Sequence, residues 1–260
     1  MNVRKILCAW DALIFHAACS FRAELSRYYL HFVWWLLDPI LTLATLYVVF
    51  GIFLASPQPN FTLFLLTGIV VWQWFANTVT NATNSIFGSM RMFQQFKVYP
   101  VHFPLCVFLQ DLTKYVPVLM VFFLCVAIFG PVPVSPVWLG IIPVMAVEGL
   151  CVLGFSIMVA SLVPFLPDLA KAVPIVINML FFASGIFYDI QTAILPKHQA
   201  IIYANPNAVC ITAMRDILIN GRQPDWVMLG TAAAIGLGAL ILGLIMVTKF
   251  RRVYPRLISQ

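Results

Sequence analysis

Charge is what this sequence has least of. Asp, Glu, Lys and Arg make up 9% of its 260 residues, against roughly 25% in a typical soluble domain. The apolar share is 62%, where such a domain carries about 45–50%. One soluble core of this length cannot hide that much apolar surface, so a soluble globular domain is excluded. Disorder is excluded as well, because disordered chains are poor in aromatics and 14% of these residues are Phe, Trp or Tyr. An integral membrane protein remains. Catalytic signatures are also missing. There is no G-x-x-x-x-G-K-S/T phosphate loop, no G-x-G-x-x-G after a strand, no H-E-x-x-H and no G-x-S-x-G elbow. Cys8, Cys19, Cys106, Cys125, Cys151 and Cys210 show no C-x-x-C spacing and read as buried thiols, not a metal or disulfide framework. His16, His31, His102 and His198 are scattered, so no metal site is expected. No cleavable signal peptide is expected, since the first apolar run of membrane length begins near Phe32.

A helix needs about 20 apolar residues to cross a hydrocarbon core of roughly 30 Å. Six segments reach or approach that length: 32–55, 61–87, 104–129, 137–163, the short 172–188, and 228–247. An all-α membrane protein with six transmembrane helices is expected. Lys and Arg set its orientation. With the amino terminus inside, eleven basic residues fall inside: Arg4, Lys5, Arg22, Arg27, Arg91, Lys97, Lys171, Lys249, Arg251, Arg252 and Arg256. Lys197, Arg215 and Arg222 fall outside, and Lys114 lies within a span. Both termini are therefore expected in the cytoplasm. The net charge of +6 then reads as a topology signal with some anionic-lipid contact, not a nucleic-acid footprint.

Two segments do not span. In residues 1–31, Val3, Ile6, Leu7, Trp10, Leu13, Ile14, Ala17, Phe21 and Leu25 share one helical face. This predicts an amphipathic helix lying in the cytoplasmic interface; Glu24, on that face, is the exception. Residues 189–226 are too long for a tight turn and are split by Asn205-Pro206-Asn207. They predict two short re-entrant helices on the periplasmic side, buried in protein or lining a watery cavity.

Polar residues inside spans are costly and mark function. Asp38 precedes Pro39 in the first span. Asp111 and Lys114 are three apart and can pair, most simply as a shallow pair reaching the interface. Glu148 lies mid-span with no partner on its own helix. The second span is richer. Gln73, Asn77, Asn81 and Asn84 form an amide stripe, with Trp72, Trp74 and Phe75 around the same helix. Two readings fit equally. Amides and aromatics can line a conduit for a hydroxyl-rich chain, or amides can hold helices together while tryptophans anchor at interfaces. The loop Arg91-Met92-Phe93-Gln94-Gln95-Phe96-Lys97 sets Met and Phe beside basic residues. That composition suggests a docking surface; a headgroup-level helix is the alternative.

Several motifs in order resemble one family. They are Phe21-Arg22-Ala23-Glu24-Leu25-Ser26-Arg27-Tyr28-Tyr29; Trp34-Trp35-Leu36-Leu37-Asp38-Pro39; Phe64-Leu65-Leu66-Thr67-Gly68 with Trp72; Lys97-Val98-Tyr99-Pro100; Pro167-Asp168-Leu169; Gly185-Ile186-Phe187-Tyr188; and Asn205-Pro206 with Arg215. The chain resembles the permease subunits of ABC exporters of bacterial surface polysaccharides, the O-antigen (Wzm-like), capsule (KpsM-like) and teichoic acid (TagG-like) exporters. Pro167 and Gly185 depart from the Arg and Pro common at those places.

The resemblance implies a homodimer in the bacterial inner membrane with a channel between its copies. It also implies two copies of a separate ABC ATPase, which would carry the ATP and Mg; no cofactor and no enzyme activity are expected on this chain. The substrate would be a lipid-linked polysaccharide, O-antigen ahead of capsule. Trp34, Trp35, Trp72, Gln73, Trp74, Phe75, Asn77, Asn81, Asn84, Phe181, Phe182 and Tyr188 would line the conduit. Arg22 and Arg27 would meet the lipid phosphate, although positive-inside charge explains them equally. Arg91 to Lys97, with Asp168, would contact the ATPase. The rival readings are a permease of the same architecture for drug, haem or lipid, and an ion-coupled carrier or membrane enzyme. A carrier would show an internal repeat and an enzyme clustered ionisable groups, and neither pattern is found.

Overall fold

The computed structural model describes residues 31–54, 59–89, 99–250 and 254. Residues 1–30 of the expected interface helix, with Arg22 and Arg27, lie outside this set, as do Arg91 to Lys97 of the expected docking loop. Among the described residues every regular element is helical. Helix α1 is His31–Leu46 and runs into a π-helical stretch, Tyr47–Phe53. Then come α2 (Phe61–Thr83), α3 (Ser85–Gly88) and α4 (His102–Phe129). A 3-10 turn, Pro136–Gly140, leads into α5 (Ile141–Leu162), and α6 is Leu169–Phe182. Three short helices follow: α7 (Ile190–Ala193), α8 (Pro196–Tyr203) and α9 (Pro206–Leu218). The long α10 (Trp226–Phe250) comes last.

Among the described residues five helical stretches are long and apolar enough to cross a membrane: Val33–Phe53, Phe61–Gly88, His102–Phe129, Pro136–Leu162 and Trp226–Phe250. The remaining expected span, 172–188, contains most of α6. That helix has 14 residues, about 21 Å at 1.5 Å per residue. It stops at a turn where Gly185 takes φ +68°, a backbone conformation that favours glycine. The expected pair of short helices around Asn205-Pro206 is present as α8 and α9, with the single turn of α7 before them.

Local chemistry starts these helices. Proline at the first helical position presets φ where no N–H partner is needed, as at Pro136, Pro196 and Pro206. Asn205 accepts a hydrogen bond from the Asn207 backbone N–H at 3.1 Å. Asp225 does the same for Val227 and Met228 at 2.9 and 3.2 Å, satisfying first-turn donors of α10.

Helix α2 is the centre of the protomer. It packs on α1, α4, α5, α6 and α9 and buries Leu65, Ile69, Val70 and Val71. Helix α9, though short, sits among α2, α5 and α10, and twelve of its 13 residues are buried. Helices α5 and α10 pack along their lengths through small residues. A Cβ on Gly154 would strike the Gly236 carbonyl oxygen, and one on Gly243 would come within 2.8 Å of the Met158 backbone nitrogen. Close backbone approach of this kind is how membrane helices gain contact without a hydrophobic drive. By contrast, among the described residues α1 touches the bundle mainly through α2; it leaves Trp34, Ile40 and Leu41 exposed, and the π-helical stretch after it exposes Ile52 and Phe53.

Candidate functional site

A cavity of about 260 Å³ lies between α1, α2 and α4. From α1 it takes Trp34, Trp35 and Asp38; from α2, Gln73, Trp74, Asn77, Thr78 and Asn81; from α4, Asp111, Lys114, Tyr115 and Val118. Six of the twelve expected conduit residues thus meet in one place. The amide stripe is not buried between helices of the protomer: Asn77, Asn81 and Asn84 are exposed and Gln73 is half-buried. Asn84 lies at the end of α2, beyond the residues that line the cavity.

The amides collect the acidic groups of the neighbouring helices. Gln73 Nε2 donates to Asp38 Oδ2 at 3.2 Å and to Thr42 Oγ1 at 3.4 Å. Asn81 Nδ2 donates to Asp111 Oδ2 at 2.9 Å, and Lys114 Nζ pairs with Asp111 Oδ1 at 3.2 Å. The Asp111–Lys114 pair therefore faces the cavity, where the sequence suggested a shallow interfacial pair. Two further polar atoms belong here. Trp74 Nε1 and Thr78 Oγ1 are buried and make no hydrogen bond among the described residues. Other helical threonines turn the hydroxyl back on the chain: Thr67 donates to Leu63 O at 2.8 Å and Thr83 to Val79 O at 2.7 Å. Buried polar groups are normally paired, and Trp74 Nε1 and Thr78 Oγ1 are exceptions to that rule among the described residues.

The remaining expected conduit residues sit elsewhere. Trp72 and Phe75 are buried, Trp72 against Phe181 with ring centroids 6.0 Å apart and Phe75 against Phe155 at 5.6 Å. Phe181 and Phe182 continue into Phe187, which stacks on Phe50 at 4.4 Å. Tyr188 joins them and donates to the Phe182 carbonyl at 3.2 Å. These aromatics form a second cluster against α6, distinct from the cavity. Asp168 is exposed in the turn between α5 and α6. Phe165 in that connection belongs to the same apolar cluster as Ile86 and Val101, which flank the expected docking loop in sequence.

A third cluster escaped the reading of the sequence as a set of spans. Arg215, counted there as an outside loop charge, is buried. Its guanidinium donates to the carbonyls of Phe64 at 3.0 Å, Gly185 at 2.7 Å and Ile186 at 2.7 Å. It also lies 3.4 Å from the centroid of the Phe64 ring, a cation–π contact. Gly68 makes room for it, since a Cβ there would come within 2.8 Å of Arg215 Nη2. Nearby, Asn205 Nδ2 donates to Ser184 Oγ at 2.8 Å. The motifs at 64–68, 185–188, 205–206 and 215 are one contact. Glu148 is likewise paired. With its amide nitrogen facing the carboxyl, Asn207 donates to both Glu148 oxygens at 2.8 and 3.1 Å, linking α5 to α9.

Long apolar helices around a polar, half-open cavity define a multi-pass membrane transport component. The chain belongs to the ABC-2 type transporter family, whose pattern residues 19–219 match. It is 29% identical over 217 residues to an O-antigen export system permease protein RfbA of Klebsiella pneumoniae, covering 82% of each chain. It is 23% identical over 235 residues to the protein of that name in Myxococcus xanthus, covering 90% of each. It is 22% identical over 226 residues to a polysialic acid transport protein KpsM of Escherichia coli, covering 86% of this chain and 87% of that one.

Proposed function

We propose that this chain is the membrane subunit of an ATP-driven exporter that moves a lipid-linked surface polysaccharide, O-antigen ahead of capsule, from cytoplasm to periplasm. The observation that carries this reading is the open amide face of α2, with a polar cavity beside it on an otherwise apolar surface. Amides both donate and accept hydrogen bonds, as sugar hydroxyls do. Trp34 and Trp35 supply rings for the apolar faces of sugars. The names of the relatives point the same way.

In this reading two copies meet with their α1–α2 faces toward a shared channel in the inner membrane. Six spans place both termini in the cytoplasm, with 189–226 on the periplasmic side. Arg22 and Arg27 receive the lipid phosphate at the cytoplasmic mouth. Arg91 to Lys97 and Asp168 dock two copies of a separate ATPase, which binds ATP and Mg. Deleting the gene in its host should trap completed glycan inside the cell. The wild-type gene should restore surface glycan, and Asn77→Leu/Asn81→Leu/Asn84→Leu should not. Unchanged surface glycan in the deletion strain would sink the proposal.

A further inference from the structure

The end of the bundle expected in the cytoplasm has a small core of its own. Its buried members are Ile86 on α3, Ile157 and Ala160 on α5, Val247 on α10, and Tyr254. Val101, just before α4, and Phe165, between α5 and α6, pack against it. The two connections at this end, α3 to α4 and α5 to α6, therefore share one apolar cluster. In sequence they carry the residues expected to meet the ATPase, Arg91 to Lys97 and Asp168. Tyr254 lies beyond Phe250, the last residue of α10, yet it is 0% exposed. Its ring centroid is 5.6 Å from that of Phe165, and Phe165 meets Phe250 edge-on at 4.9 Å. Its hydroxyl donates to the Ser161 carbonyl at 3.2 Å. Ser161 is in the last turn of α5, where carbonyls lack a partner further along the helix. A buried hydroxyl needs such a partner, so this bond fixes how far the ring enters. One side chain thus closes the end of α5 and packs the turn that follows.

We propose that Tyr254 is a positioning residue for energy coupling: it joins the turn bearing Asp168 and the segment bearing Arg91 to Lys97 into one unit on which the ATPase acts. Close-packed interiors compress little and transmit strain, so a push on one connection reaches the other through this cluster. The inference rests on the export reading above. It adds to that reading a residue outside both the conduit and the expected docking segments.

The test compares wild type, Tyr254→Phe and Tyr254→Leu in two measurements. In the first, hydrogen exchange of the full chain in nanodiscs is followed by mass spectrometry. Tyr254→Leu should speed exchange about tenfold in peptides covering both connections, 86–101 and 163–168, the order expected when a buried hydrogen bond is lost. Tyr254→Phe keeps the ring and loses the bond, so its rise should be confined to the end of α5 and 163–168. Peptides from α9 should exchange as in wild type in both variants. In the second measurement each gene is returned to the deletion strain. Tyr254→Phe should restore surface glycan; Tyr254→Leu, present in the membrane at the wild-type amount, should not. Faster exchange confined to α10 and the residues after it overturns the tie between the connections. Full export by Tyr254→Leu with both connections loosened overturns the coupling role and leaves the export reading standing. If Tyr254→Leu exchanges fast throughout, Tyr254→Phe carries the test, and wild-type exchange at 163–168 in that variant overturns the proposal. A wild-type gene that does not restore surface glycan removes the export reading, and the coupling role with it.

Discussion

Arg215 shows how much one side chain can hold in a membrane protein. Its planar fork reaches three carbonyls on two segments, and its face lies on Phe64. A lysine offers a point charge and cannot reproduce that fork. Arg215→Lys should therefore leave buried carbonyls short of donors and cost about 2–3 kcal/mol of stability. Thermal unfolding in detergent would show it, and a melting temperature equal to wild type would contradict it. Residue types and spacings in the sequence already pointed to the amide stripe, to Asp38 and to a possible Asp111–Lys114 pair. They could not show that Asn81 reaches an aspartate 30 residues away. Helical periodicity gives the faces of one helix, and only the packed bundle says which faces meet. For the same reason Arg215 looked like an ordinary outside charge and Glu148 looked isolated, though Asn207 holds it.

The long helices were legible as elements because their apolar runs match the thickness of a membrane, and the expected limits of the first four spans fall within a few residues of the observed helices. Residues 172–188 were harder. Their composition is continuous, but the chain leaves the helix after Phe182 and turns through Gly185, a backbone event that hydropathy does not register. The α5–α10 pair rests on a different sequence feature, glycines where the backbones nearly touch. A Cβ at Gly236 would come within 2.8 Å of Cys151 Sγ and 3.1 Å of its Cα. Gly236→Leu should overpack this seam and cost about 1–3 kcal/mol. Gly238→Leu, where a Cβ meets nothing within 4 Å, is the matched control and should melt like wild type. Equal melting of the two variants would contradict close packing.

At the scale of the molecule the protomer is uneven. One side of α2 is packed by α5, α6 and α9, while the amide side remains open beside α1. The proposal that two copies share this open face makes a prediction. In a cysteine-free background, Asn77→Cys should cross-link between copies with a short bismaleimide. Met179→Cys, exposed on α6, should not. Cross-linking at 179 and none at 77 would place the shared face elsewhere.

The glycine seam has a mechanical consequence. Helices whose backbones touch cannot slide without parting, and α5 is also tied to α9 through Glu148 and Asn207. Arg215 extends that tie from α9 to α2 and to the turn after α6. The protomer is thus a stator made of α2, α5, α9 and α10, with α1 hung on its rim. In the export reading proposed above, widening of the cavity would fall to α1, which among the described residues packs mainly on α2.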